Sequence, residues 1–143
     1  MTAKGHLASA MDRLQLSLAG LPEERIDEPG ACGVWSVKDL VHHVAYWENH
    51  EAAEIEGLLR GEPRPDHGEG DWWQAVNDAV APTWKARSYV DARRELTDAH
   101  TRLVAALDGF KSGDEPDVGA DTWEHFDEHR ADIDRWKAES GIA

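Results

Sequence analysis

The sequence predicts an all-α protein, a four-helix bundle with short extra helical segments. Two observations carry this: apolar residues recur at spacings of three and four along four long stretches, and no stretch shows the alternation of a half-buried strand. The breaks between stretches hold Pro and Gly, and most helix starts carry cap-like residues.

The first helix is expected from about Thr2 to Ala19, because Leu7, Met11, Leu14, Leu18 and Leu21 fall on one face. Pro22 ends it, and a loop follows through Pro29, Gly30 and Gly33. Ser36 reads as an N-cap with Asp39 three residues on, in the manner of a capping box. The helix it opens runs from Val37 to about Arg60, with Val37, Leu40, Val41, Val44, Ile55 and Leu58/Leu59 as its stripe. Gly61, Pro63 and Pro65 stop it, and a polar loop continues to Gly70.

Trp72 to Lys85 is helical in pattern but contains Pro82, so a short or bent helix is expected. Ser88 and Asp91 form a second cap-like pair, ahead of a helix marked by Leu96, Ala99, Leu103, Ala106, Leu107 and Phe110. A Gly/Asp/Pro loop spans Lys111 to Ala120. Asp121 with Glu124 then reads as the cap of a last helix that extends to about Ser140.

Composition bounds the function. At 143 residues the chain has the size of one domain, residues 1–143, able to bury a core without disulfides. The 29 acidic residues against 15 Lys and Arg give a net charge of −14, which repels phosphate backbones and disfavours nucleic-acid binding. No apolar run suits a membrane span, and the first residues lack the apolar core of a signal peptide, so a cytoplasmic protein is expected. Cys32, the one cysteine, excludes an internal disulfide and a Cys-based zinc cluster.

Eight histidines are left to carry chemistry. In the last helix His129 falls inside the apolar stripe of Phe126, Ile133 and Trp136. His125 lies one turn earlier and about 40° to its side at 100° per residue. An i, i+4 pair on one face can share a metal ion, but it also describes two core histidines that satisfy each other. In the second helix His43 flanks the stripe while His42 points nearly opposite, so periodicity favours His43 for an inward role. His6, His67 and His100 fit no motif and read as surface residues; His50 reads as solvated or as a neighbour of the site.

Two segments resemble the DinB-like (YfiT-like) superfamily of metal-binding four-helix bundles. They are Trp35-Ser-Val-Lys-Asp-Leu-Val-His-His-Val-Ala-Tyr-Trp-Glu48 and Thr122-Trp-Glu-His-Phe-Asp-Glu-His-Arg-Ala-Asp-Ile133. The resemblance implies that His43, eight residues after Trp35, joins His125 and His129 as ligands of one divalent metal ion, zinc, nickel or iron. It implies a small-molecule substrate and commonly a homodimer. Its activities include transfer of low-molecular-weight thiols (bacillithiol, mycothiol, glutathione), metal-dependent hydrolysis, maleylpyruvate isomerisation and self-resistance to reactive natural products.

Three imidazoles leave positions open on the metal, as in catalytic sites. The reading that follows is a metal-dependent thiol transferase or hydrolase acting on a small electrophile. Since no cysteine lies in the motifs, a thiol would come from a cosubstrate. Two other readings stand beside it: a module that sequesters a reactive small molecule without turnover, and a structural homodimer whose histidines satisfy one another.

Overall fold

Each of the four apolar stripes becomes the buried face of a helix in the computed structural model of the protein, which describes residues 2–142. The long helices are α1 (Ala3–Leu18), α2 (Val37–Leu59), α4 (Tyr89–Leu107) and α5 (Trp123–Glu139). Between α2 and α4 lies the short α3 (Trp72–Val80), continued by a 3-10 turn over Ala81–Trp84. Pro82 explains that change of helix type, since its ring cannot continue the α-helical ladder. A second 3-10 turn, Glu23–Arg25, lies in the loop after α1. Among the described residues there is no strand, only an isolated bridge between Cys32 and Trp35.

The bundle is built from two helix pairs: α2 packs mainly on α4, and α1 mainly on α5. Leu7, Leu14 and Leu18 of α1, Leu40 and Ile55 of α2, Leu96, Leu103 and Leu107 of α4, and Phe126 and Ile133 of α5 are all removed from water. Burying each such side chain contributes about 1.5–3 kcal/mol. Forked ion pairs clamp the outside of both pairs. Arg13 donates from Nε and Nη2 to the Asp127 carboxylate at 2.9 Å each, joining α1 to α5. Arg102 makes the same kind of fork to Glu56, at 3.0 and 2.6 Å, joining α4 to α2. Exposed pairs like these add at most about 1 kcal/mol apiece.

The loop before α2 is pinned rather than free. Arg135 of α5 donates to the Ala31 carbonyl at 2.8 Å, and Arg25 donates to the Ser140 carbonyl at 3.0 Å. This brings Trp35 to the start of α2. There the capping box forms as the sequence predicts: Ser36 Oγ accepts from the Asp39 amide at 3.1 Å, and Asp39 accepts from the Ser36 amide at 3.0 Å. Ser88 likewise accepts from the Asp91 amide at 3.0 Å.

The cap expected at Asp121 does not form. Thr122 is the N-cap residue of α5, without a side-chain cap bond. Its buried hydroxyl turns back and donates to the Val118 carbonyl at 2.7 Å. The free amides of Thr122 and Glu124 are taken up by the Gly119 carbonyl, at 3.3 and 3.0 Å. Gly119 is required there because the Trp123 ring lies where a β-carbon would sit, 2.6 Å from it.

Candidate metal centre

α2 and α5 carry the three histidines to one point. His43, on α2, and His125 and His129, one turn apart on α5, converge with all three ligand nitrogens within 4.8 Å of one another. His125 Nε2 lies 3.0 Å from Nε2 of His43 and 2.9 Å from Nε2 of His129. His43 and His129 are buried, and His125 is half-buried. The three histidines that the sequence singled out therefore lie together across two helices.

Proton counting shows why this cluster does not satisfy itself. His129 Nδ1 is 3.0 Å from Asp132 Oδ2, and a carboxylate only accepts, so the imidazole proton of neutral His129 sits on Nδ1 and its Nε2 is a bare lone pair. His125 Nε2 carries at most one hydrogen and faces two other nitrogens, so one of the two contacts lacks a shared proton. Nδ1 of His43 and Nδ1 of His125 are buried without partners. Three imidazole nitrogens aimed at one point match the nitrogen donor set of a borderline divalent ion such as zinc, whose ligand distances of about 2.0–2.1 Å bring ligand nitrogens into this range. The residues present fit such an ion.

The electrostatics favour neutral ligands. Burial, followed by the neighbouring His125 and His129, lowers the pKa of His43 to about 2. Burial and His129 lower that of His125 to about 3. Both imidazoles are thus uncharged over the whole physiological range, each with one nitrogen free to act as a ligand.

Aromatic rings wall the cluster. Trp35 lies 4.8 Å from the His43 ring, centroid to centroid, and buried Trp84 meets His43 edge-on at 6.3 Å. Trp84 also stacks on His42 at 6.0 Å and lines a cavity of about 340 Å³ together with His42, Tyr46, His50, Arg87 and Glu95. None of the three converging histidines lines that cavity. On the other flank, Trp47 Nε1 donates to Asn77 Oδ1 at 2.7 Å, joining α2 to α3 inside the protein.

Several sequence expectations change here. His42, expected to point away from the core, is only 1% exposed, with Nδ1 3.1 Å from Glu95 of α4. A wheel with one buried face fails for α2 because α4, α5 and the 3-10 turn all cover it. His100, read as a surface residue, is half-buried and pairs at 3.1 Å with Glu48, which is fully buried. Trp84, Asn77 and Asp132 were not singled out by the sequence; Asp132, three residues after His129 on the same helix, had the clearest signal. Trp123 stacks on His6 at 5.0 Å, and His6 is exposed as expected.

Fold and cluster together define a histidine-bearing helical bundle of the DinB/YfiT-like type. The chain belongs to the family described as the mycothiol maleylpyruvate isomerase N-terminal domain, which it matches over residues 7–136 and which is part of that superfamily. Among solved structures it is similar to an uncharacterised protein from Escherichia coli UTI89, with a TM-score of 0.79 and 16% identity over 96% of this chain and 92% of that one. At that identity the likeness concerns the fold alone. No curated protein matches the chain. No helix among the described residues is long and apolar enough to cross a membrane.

Proposed function

We propose that the protein is a metal-dependent enzyme in which His43, His125 and His129 hold one divalent ion, zinc, nickel or iron. The observation that carries this reading is the convergence of three Nε2 atoms that cannot satisfy one another. When bound, such an ion lowers the pKa of a coordinated water or deprotonates a coordinated thiol, giving a nucleophile near neutral pH.

The chain's own residues supply the rest. Asp132 fixes the tautomer and orientation of His129, so that its Nε2 lone pair faces the centre. Burial keeps His43 and His125 neutral and available as ligands. Trp35 and Trp84 limit the entry of water and present apolar faces to a small electrophilic substrate. The chain has no cysteine among the three ligands, so the thiol, in a transferase, is a low-molecular-weight cosubstrate. The family's description, which names mycothiol, favours a thiol of that kind over hydrolysis.

The test begins with elemental analysis of tag-free protein, wild type against His129→Ala. About one metal per chain, lost in the variant, is the expected result. Product formation from mycothiol or a related thiol and an electrophile should then depend on the same metal. Wild-type protein that takes up no metal on reconstitution sinks the reading.

A further inference from the structure

Two turns beyond His43 on α2, a second set of donors comes together. His50, Glu54 and His67 each offer one ligand atom, and these atoms all lie within 4.8 Å of one another. Glu54 Oε1 lies 3.0 Å from His67 Nε2 and 3.8 Å from His50 Nε2. The first distance is a hydrogen bond; the second is too long to be one. His50 Nε2 and Glu54 Oε1 thus face each other across a gap that no bond between them closes.

All three side chains are held in place by other groups. Arg64 occupies the remaining oxygen of Glu54, donating to Oε2 from Nη2 at 3.2 Å and from Nε at 3.4 Å. That leaves Oε1 turned to the histidines, as the outer partner of a ligating carboxylate does. The Trp72 ring lies flat on His67, with centroids 3.7 Å apart and an interplanar angle of 15°. His50 is flanked by Trp47 at 5.1 Å and by Trp72 at 5.7 Å. His67 belongs to an exposed stretch, residues 61–71, that has no helix of its own and carries Gly68 and Gly70 at positive φ. Such a segment has much conformational entropy to lose, and a bond from His67 to a rigid helix restrains it.

We propose that His50, Glu54 and His67 form a second divalent-cation site, separate from the three-histidine cluster, that fastens the 61–71 segment onto α2. Two imidazoles and one carboxylate suit zinc, nickel, cobalt or iron better than magnesium or calcium. Along α2 the two sites are about 10 Å apart, from seven residues at 1.5 Å each. This proposal stands independently of the function assigned to the first cluster.

The experiment is equilibrium dialysis of the full metal-free chain against Co²⁺ alone, followed by visible absorbance, for wild type, His67→Ala, Glu54→Gln and His129→Ala. His67 is exposed and its replacement leaves the core untouched. Two Co²⁺ per wild-type chain are expected, and one in His67→Ala and in His129→Ala, with two different absorbance bands lost. Glu54→Gln should behave as His67→Ala does. Cleavage after Glu69 by a glutamate-specific protease should slow with Co²⁺ in wild type and His129→Ala, and not in His67→Ala. One equivalent in wild type, kept in His67→Ala and lost in His129→Ala, overturns the second site and leaves the first standing. One equivalent lost in His67→Ala and kept in His129→Ala does the reverse. No uptake by wild type overturns both.

Discussion

Asp132 and His129 stand less than one helical turn apart on α5, with Asp132 Oδ2 3.0 Å from His129 Nδ1. The carboxylate fixes which ring nitrogen carries the proton, and so aims the other at the cluster. Replacing Asp132 with Asn removes the charge and keeps the shape. Metal affinity should fall about 10–100-fold, as for comparable outer partners, while the helical signal in circular dichroism stays unchanged. Competition with a coloured chelator measures this, and an unaltered affinity would mean that Asp132 has no part in positioning the ligand.

Proton release on metal binding gives a second prediction. Three unperturbed imidazoles would together carry about two protons at pH 6 and release them to a metal. His43, lowered to about 2, and His125, lowered to about 3, are already deprotonated there. Binding at pH 6 should therefore release no more than one proton, whatever His129 contributes. Calorimetry in buffers of different ionisation enthalpy counts the protons; a value near two contradicts the burial argument.

The capping box at the start of α2 is open to direct test. Ser36→Ala leaves the Asp39 amide without its acceptor at the end of the helix that carries His43. Stability should drop by about 1 kcal/mol, within the usual 0.5–2 for lost caps. The shift in urea midpoint reports it, and a change within error would show that solvent replaces the hydroxyl at no cost.

Gly119→Ala should be costlier. A β-carbon at this position meets the Trp123 ring at 2.6 and 2.8 Å, well inside contact distance. Either the indole moves or the Gly119 carbonyl leaves the start of α5. Overpacking of this kind costs about 1–3 kcal/mol. A thermal midpoint equal to that of wild type would show that the ring yields freely.

The helices and the His125/His129 pair were legible in the sequence because both depend on periodicity. Leu7 to Leu18 and Phe126 to Trp136 mark faces, and faces place His125 and His129. The motif after Trp35 pointed to His43 by resemblance. Less legible was anything set by contact between distant segments. His42 was misread because α2 is covered on more than one side, and His100 because its partner, Glu48, is 52 residues away in sequence. Asp121 had the right chemistry for a cap, but the chain folds back through Gly119 and Thr122 and satisfies the amides without it. The cluster of His50, Glu54 and His67 needs a loop to return to its helix, which no local pattern encodes.

The three histidines also straddle a boundary. His43 rides on α2, which leans on α4, whereas His125 and His129 ride on α5, which leans on α1. The donors therefore meet across the seam between the two helix pairs, over one apolar core that all four long helices share. The distance from His43 to the α5 histidines is thus set by how one pair seats on the other, and not by either pair alone.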